Sequence, residues 1–415
     1  MFNEDLLRHE YSRLVSVLVH EFGARCLPDI EDAVQAAMFS AVQKWQESEK
    51  PENPTAWLYR VARNQLIDDL RKADRRRKLL KRESVLLQAD PANGKRNAPS
   101  AYEESLLHML FLCCDPAVPE ESRLAFMLRT LCGFSIPEIS ARLFSSEANI
   151  YKRIARARDC LRRGDVQELN LDSDEFRRRL PSVRKALYLM FTEGYLSIDP
   201  DNAIRLELCE EATRLSLLLA ENPRGYQPET SALVALMLLN SARLAGRQAR
   251  SGGLLFLEEQ DRSQWNHDLV GRGIQWLSKS ASGEQFTRFH CEAGIAATHC
   301  LAPSYGETKW QEIVRNYEVL FRIVDIPVHR LNHAMALAEI KGAKAGLATL
   351  ENYLPPSWLS GSYLWFAVMA DLNFRSENFD AATRDFDLAL ATAPSESIRN
   401  LIRRRLRHNQ DAMRG

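Results

Sequence analysis

The sequence predicts an all-α protein, and three observations lead to this fold class. Apolar residues recur at helical spacing from the start of the chain, at Leu6, Leu7, Leu14, Val15, Leu18 and Val19. Pro, Gly and short polar runs then separate further stretches with the same periodicity. From residue 175 onward, long amphipathic patterns repeat with Ala and Leu at helical spacing, and no alternating strand pattern appears.

Size and composition favour several helical domains and a nucleic-acid partner. A chain of 415 residues with 45% apolar residues suits two or three domains with sizeable cores. The net charge is zero, but residues 60–82 hold ten Lys or Arg against three acids, and residues 142–163 hold seven against two. Two basic clusters, each beside a helical motif, are typical electrostatic footprints for phosphates.

The first segment, residues 1–82, is expected to form a helical bundle. After the first apolar stripe, Pro28-Asp29 opens a second helix with an acidic first turn, which the helix dipole favours. Pro51 and Pro54 then break the chain, and Thr55 is a suitable N-cap for a third helix. We expect its core stripe to consist of Trp57, Leu58, Val61, Leu66 and Leu70.

A polar, Pro- and Gly-containing linker is expected at residues 83–102, followed by a second helical segment at 103–165. That segment ends in a predicted helix-turn-helix. Ile136, Ile139 and Leu143 give its first helix a buried face, and Phe144-Ser145 forms the turn. The second helix starts near Ser146 or Glu147, and its inward residues are Ile150, Ile154 and Ala157.

The last segment, residues 175–415, is predicted to be a helical repeat domain. Residues 331–350 can be laid over residues 366–390 with an offset of 36, so that Ala334 meets Ala370 and Ala345 meets Ala381. Small residues where helices cross, followed by a terminal proline, resemble tetratricopeptide (TPR) repeats.

Two motifs together resemble a bacterial sigma factor of the extracytoplasmic-function type. In region 2 of these proteins, one helix has a Trp-Leu-Tyr-x-x-Ala-x-Asn-x-x-x-Asp-x-x-Arg pattern, matched here by Trp57, Leu58, Tyr59, Ala62, Asn64, Asp68 and Arg71. A preceding acidic motif is matched by Asp29, Glu31, Asp32, Val34 and Gln35, although Ala36 replaces the usual Glu and Met38-Phe39 shifts the aromatic residue by one place. The helix-turn-helix occupies the place of region 4, with Asn149-Ile150 where Thr-Val or Ser-Val is usual. Residues 110–134, 187–195 and 257–265 extend the match over nearly the whole chain, which resembles the subgroup with a long TPR-like extension.

The resemblance implies three interfaces. Core RNA polymerase would be bound through Asp29, Glu31, Asp32, Gln35 and Phe39. The minus-10 promoter element would be contacted by Arg60, Arg63, Asn64, Arg71, Arg75 and Arg76. At the minus-35 element, residues at the start of the recognition helix read base edges. We expect Glu147, Asn149 and Arg153 to contact bases, and Lys152, Arg156 and Arg158 to contact phosphates.

Other classes of function fit the sequence less well. We find no phosphate-cradling Gly loop, metal triad or nucleophile motif, so we expect no enzyme, no cofactor and no metal site. Neither a secretory signal nor a run of about 18 apolar residues appears, so we expect a cytoplasmic protein without a membrane partner. A helix-turn-helix activator or repressor with a TPR interaction domain is the alternative, but it would not need residues 29–72. An intramolecular contact between the extension and the sigma segments is a further hypothesis.

Overall fold

The computed structural model describes residues 4–47, 51–80, 99–143, 145–164, 174–195, 205–223, 225–247, 254–283, 285–351 and 353–412. These residues form helices joined by turns and contain no β-strand, which confirms the all-α prediction. The chain divides into two compact units, residues 1–186 and 187–415.

The described residues of the first unit form seven complete α-helices and the beginning of an eighth. They are α1 (Glu4–Phe22), α2 (Leu27–Glu47), α3 (Pro54–Leu80), α4 (Pro99–Cys113), α5 (Glu120–Thr130), α6 (Ile136–Arg142), α7 (Glu147–Arg163) and α8 (Asp174–Tyr195). Helix α4 begins within the segment expected to be a linker, and residues 83–98 of that segment lie outside the described residues.

Helices α1, α2 and α3 pack together, and α1 also packs against α4. The apolar stripe of α1 is buried at Leu14, Val15, Leu18 and Val19, as predicted. The predicted stripe of α3 is wrong in part, because its buried residues are Leu58, Ala62 and Leu66, which lie four residues apart along one line of the helix. The other three predicted core residues, Trp57, Val61 and Leu70, are half-buried. Trp57 lies beside Trp45, with ring centroids 5.4 Å apart.

The helix-turn-helix is formed by α6 and α7. Ser135 and Glu138 make a capping box at the start of α6, since each side chain bonds the other residue's backbone N–H. The Ser146 hydroxyl accepts the Asn149 backbone N–H at 3.3 Å and caps α7, which confirms the predicted start of this helix. Its predicted inward residues are all buried, namely Ile150, Ile154 and Ala157. In α6, Ile139 is buried and Ile136 is half-buried, as is Leu143, the residue that follows the end of this helix.

His108 of α4 gives the first unit a pH-dependent stability. Burial, together with the charges of His20 and Arg179, lowers the pKa of His108 to about 4 from an ordinary 6.5. The unfolded chain therefore binds the proton more readily, so this stabilisation is complete above pH 6.5 and is lost as the pH falls towards 4. The full loss corresponds to about 3 kcal/mol.

We therefore expect a pH change from 7.5 to 5 to destabilise the wild-type protein more than a His108→Gln variant. Hydrogen exchange of α1 and α4 peptides at both pH values measures the difference in opening free energy. An equal loss of protection in the two proteins would contradict the prediction.

The described residues of the second unit form the end of α8 and eleven further α-helices. They are α9 (Leu206–Glu221), α10 (Pro228–Ala242), α11 (His267–Ser280), α12 (Arg288–Leu301), α13 (Trp310–Ile323), α14 (Pro327–Lys341), α15 (Ala343–Glu351), α16 (Ser357–Ser360), α17 (Tyr363–Arg375), α18 (Phe379–Thr392) and α19 (Glu396–Ala412). Helix α10 is buried along almost its whole length and packs against α9, α11 and α12.

The two predicted repeat segments form helical hairpins with the expected spacing. Helices α14 and α15 pair, as do α17 and α18. The starts of these helices lie 36 residues apart in both cases, from 327 to 363 and from 343 to 379. Ala334 and Ala370 are fully buried, whereas Ala345 and Ala381 are half-buried. The residues that follow them, Gly346 in α15 and Ala382 in α18, are buried, one position later than the sequence alignment suggests.

Gly346 allows the close approach of α15 to α14. A Cβ atom at this position would lie 2.6 Å from the Ala334 carbonyl oxygen, which belongs to the backbone of the neighbouring helix. We expect Gly346→Ala to destabilise the second unit by about 1–3 kcal/mol, because α15 would have to move away. Urea titration followed by tryptophan fluorescence suits the measurement, since five of the seven tryptophans lie in residues 265–365.

Gly271 of α11 is the matched control for this substitution. A Cβ there would meet nothing within 4 Å, so Gly271→Ala should leave stability unchanged or raise it by about 1 kcal/mol through helix propensity. Similar losses for both variants would show that close packing at residue 346 is not the cause.

The acidic segment at residues 257–262 contacts α19. Glu258 pairs with Arg405, and Glu259 pairs with Arg404 at 3.2 Å. Arg405 also bonds Asp371 of α17 at 2.7 Å, so this arginine ties the acidic segment to the second hairpin. The segment therefore makes a structural contact within the second unit.

Candidate functional site

The N-terminal half of α2 presents most of the expected polymerase-binding residues on one exposed face. Asp29, Asp32 and Gln35 are exposed, and Phe39 is 65% exposed on the same side of the helix. Positions 29, 32 and 39 are separated by three and seven residues, so they lie close to one line along the helix. This face offers acidic and apolar contacts to a partner.

Glu31 lies on the opposite side of α2 and is 1% exposed. Its carboxylate pairs with the Arg158 guanidinium of α7 and accepts the Tyr11 hydroxyl at 3.3 Å. Burial raises the pKa of the Glu31 carboxyl, and the positive charges of Arg158 and Arg129 oppose that rise. The ionised form of Glu31 therefore depends on arginines that come from two other helices.

Two further contacts join the same elements. The Ser12 hydroxyl of α1 donates to the Leu131 carbonyl at the end of α5, and the Arg129 guanidinium lies 5.6 Å from the Tyr11 ring centroid. The short 3₁₀ helix Ala24–Cys26, which precedes α2, packs against α7. Thus α1 and α2 are packed against α5 and α7 in the first unit.

On α3, the residues expected at the minus-10 element differ in their surroundings. Arg60 and Asn64 are exposed, and Arg71 is exposed beside Asp68 at 4.0 Å. Arg63 instead donates to the Glu21 carboxylate at 2.8 Å. Arg75 and Arg76 lie on α3, but their side chains are outside the part of the chain that the structure describes.

Glu21 is a residue that the sequence reasoning missed. Its carboxylate accepts the Tyr59 hydroxyl at 2.6 Å as well as Arg63, and it connects the end of α1 to α3. Burial, followed by the Glu21 interaction, raises the pKa of Tyr59 to about 12, so this phenol stays a hydrogen-bond donor. No local pattern reveals this contact, because Glu21 lies about 40 residues before its two partners.

The outer face of α7 carries most of the residues expected at the minus-35 element. Glu147, Asn149, Lys152 and Arg156 are exposed, and Arg153 is half-buried. The Asn149 amide donates to the Ser145 hydroxyl at 2.8 Å, and Arg156 pairs with Glu121 at 3.4 Å. Arg158 differs from this group because its guanidinium reaches Glu31.

Tyr151 is a further exposed residue on this face, with 61% of its surface accessible. An amphipathic helix with a serine cap, a buried Ile-Ile-Ala stripe and an exposed basic face is suited to enter the DNA major groove. Arginine, lysine and asparagine side chains supply the donors that base edges and phosphates accept.

Comparison with known protein families gives three matches along the chain. Residues 6–76 match Sigma-70 region 2, and residues 109–161 match Sigma-70 region 4. Residues 179–281 match a family of unknown function, DUF6596.

The chain belongs to the sigma-70 family. It is a sigma factor of the extracytoplasmic-function-like kind with a C-terminal extension, and such proteins serve promoter-specific transcription. An uncharacterized protein of Rhizobium meliloti (strain 1021) is 32% identical over 404 residues, which cover 95% of this chain and 94% of that relative. No solved structure matches the sigma factor significantly.

The family matches coincide with the helices described above. Region 2 spans α1, α2 and nearly all of α3, while region 4 extends from α4 through most of α7. Among the described helices of the sigma factor, none is long and apolar enough to cross a membrane.

Proposed function

We propose that this sigma factor binds core RNA polymerase through α2, melts the minus-10 element with α3 and recognises the minus-35 element with α6 and α7. Residues 1–82 and 103–165 would form the two DNA-binding domains, joined by a linker at 83–102. The helical extension, residues 175–415, would regulate their activity, and a contact between the extension and the sigma domains is one route for that regulation.

One observation supports the proposal: the two family matches occur in the expected order, and each contains a helix with an exposed face suited to binding a partner. In region 2 this is the acidic and apolar face of α2, and in region 4 it is the basic face of α7. A DNA-reading helix alone would also suit an activator or repressor. The region 2 match favours the sigma factor, because an activator that binds duplex DNA has no need of it.

The role of α3 follows from what promoter melting requires. Separated strands must be held by basic groups at the backbone and by amide or hydroxyl groups at base edges. Arg60, Asn64 and Arg71 are exposed and meet this requirement. The pairing of Arg63 with Glu21 suggests that Arg63 shapes the surface of α3, and that binding a phosphate would require it to exchange partners.

In vitro transcription with core RNA polymerase and a library of genomic promoters tests the proposal. We expect protein-dependent start sites that share two spaced sequence elements. If core polymerase stayed silent while the protein still bound duplex DNA, the activator function would replace the sigma function.

The same assay addresses the extension. A chain ending at Tyr195 retains all of α8, whose N-terminal half packs against region 4 through the stacked rings of Phe111 and Phe176, 4.1 Å apart. An unchanged transcript yield with this folded shorter chain would contradict regulation by the extension.

A further inference from the structure

The position of Glu31 conflicts with its expected role. By resemblance, Glu31 belongs to the set that binds core polymerase, and the other four members of that set are exposed on α2. Glu31 is buried and cannot touch a partner while it remains so. Either this residue has no role in docking, or docking requires a rearrangement of the first unit.

Region 4 supplies the group that covers Glu31. The guanidinium of Arg158 projects from the C-terminal half of α7 onto the Glu31 carboxylate, and 30% of the Arg158 side chain remains exposed. The other neighbours of Glu31 include Tyr11 from α1 and, behind it, Arg129 from α5. Glu31 thus lies where helices of region 2 meet helices of region 4.

Two contacts near the ends of α7 and α5 reinforce this junction. Gly164 ends α7 in the left-handed conformation, at a φ of 75°, and a Cβ there would lie 2.2 Å from an Arg25 guanidinium nitrogen. Arg25 therefore lies against the C-terminus of α7, where a positive charge is favoured by the helix dipole. Near the end of α5, the Ser12 hydroxyl donates a hydrogen bond to the Leu131 carbonyl oxygen.

The same contact also involves a residue expected to bind DNA. The sequence predicts that Arg158 contacts a phosphate, but Nη2 of its guanidinium donates to the buried Glu31 carboxylate instead. The ion pair therefore joins Glu31, a residue expected to bind polymerase, to Arg158, a residue expected to bind DNA.

We propose that Glu31 and Arg158 form a latch that holds regions 2 and 4 together, and that binding of core polymerase requires the latch to open. This inference rests on the proposed sigma function. In the closed protein, each residue of the pair competes with the intermolecular partner of the other. Arg158 competes with core polymerase for Glu31, and Glu31 competes with a DNA phosphate for Arg158.

The chain between the two regions is long enough for them to separate. Residues 81–98 connect α3 to α4, and 18 residues can extend over at most roughly 60 Å. A protein that must open before it binds shows an apparent affinity reduced by the fraction of open molecules. Opening would release Glu31 to core polymerase and Arg158 to the promoter backbone together.

The affinity of the full-length protein for core polymerase, measured without DNA, tests the latch. Arg158 belongs to the expected DNA contacts and not to the polymerase contacts, so its removal should affect core binding only through the latch. We expect Arg158→Ala to bind core polymerase about tenfold more tightly than wild type. The reason is that the apparent affinity rises about tenfold when the open fraction rises from about a tenth to nearly all molecules.

Arg162→Ala is the matched control. Arg162 lies one turn further along α7, its side chain is 64% exposed, and it pairs with Asp159 within the same helix at 3.5 Å. We expect this variant to bind core polymerase like wild type. A folded Arg158→Ala variant that bound core no more tightly than Arg162→Ala would overturn the latch.

Hydrogen exchange in the free protein provides a second test that does not depend on sigma function. Glu31→Arg and Arg158→Glu should each accelerate exchange in α2 and in the second half of α7, and the double variant should restore protection by reversing the pair. Unchanged exchange in both single variants would also overturn the proposal. If wild type and all variants failed to bind core polymerase, the sigma function would fail, and the exchange experiment would still decide whether the latch exists.

Discussion

Replacing Arg153 with alanine is expected to lower transcription from a cognate promoter by roughly 5- to 150-fold. Arg153 lies on the second turn of α7, beyond the Ser146 cap, on the helix proposed to read the minus-35 element. A bidentate contact between arginine and guanine contributes about 1–3 kcal/mol of discrimination, which corresponds to this range. The loss should be confined to promoters with one particular base at the contacted position.

Lys152 provides a comparison on the same helix with a different expected effect. It is exposed and proposed to contact a phosphate, so Lys152→Ala should weaken binding to all promoters about equally. The dependence of the binding constant on salt concentration should fall by the amount that corresponds to about one phosphate contact. Arg315 of α13, exposed in the second unit, controls for the loss of one positive charge, and its substitution by alanine should leave promoter selection unchanged.

A set of promoters that varies each base of the minus-35 element separates these outcomes. Relaxed preference at one position with Arg153→Ala would support base reading by α7. A uniform decrease at all positions, like that of Lys152→Ala, would show that Arg153 contacts the backbone and that another residue of α7 reads the bases.

The helix-turn-helix shows how much local sequence can predict. A serine followed by apolar residues at helical spacing determines where α7 starts and which face is buried, because both depend on neighbours within a few turns. The 36-residue spacing of the hairpins was predictable for the same reason. In the first hairpin, the close contact with α14 is made by Gly346 and not by Ala345, the residue that the alignment predicts. The alignment of alanines does not specify which face of α15 meets α14.

Contacts between distant segments could not be predicted in this way. Glu31 has the sequence context of an exposed acidic residue in the first turns of a helix, and Arg158 that of a basic residue on a DNA-binding helix. Their pairing depends on how α2 and α7 pack, across a separation of 127 residues. The same applies to Glu21 with Tyr59 and Arg63, whose spacing follows no helical period.

Helix α8 shows a third long-range interaction, and it leads to the largest expected effect on stability. Arg179 of α8 contacts Asp115, in the turn between α4 and α5, at 2.5 Å, and both side chains are only 4% exposed. Asp115 also accepts the backbone N–H of Ala117 at 2.8 Å and so shapes this turn. The pair anchors the N-terminal half of α8 to region 4, next to the stacked rings of Phe111 and Phe176.

Arg179→Ala is expected to reduce the stability of region 4 and α8 by about 3–5 kcal/mol. Removing one member of a buried ion pair leaves the other charge in a poorly solvated site, which costs more than the pair itself contributes. Hydrogen exchange of α5 and α8 peptides measures this locally, which is necessary because two units need not unfold in one transition. Lys309→Ala, which removes an exposed pair with Glu312 at 3.5 Å, should cost about 0.5 kcal/mol or less.

The double variant Arg179→Met with Asp115→Asn distinguishes a charge effect from lost packing. Methionine keeps much of the arginine's volume, and asparagine retains an oxygen that can accept the Ala117 N–H. If the uncompensated carboxylate causes the loss, the double variant should recover most of the stability that Arg179→Ala removes, because replacing both partners of a buried pair is often neutral. A double variant as unstable as Arg179→Ala would mean that the arginine stabilises region 4 through its contacts along α8, and that its charge contributes little.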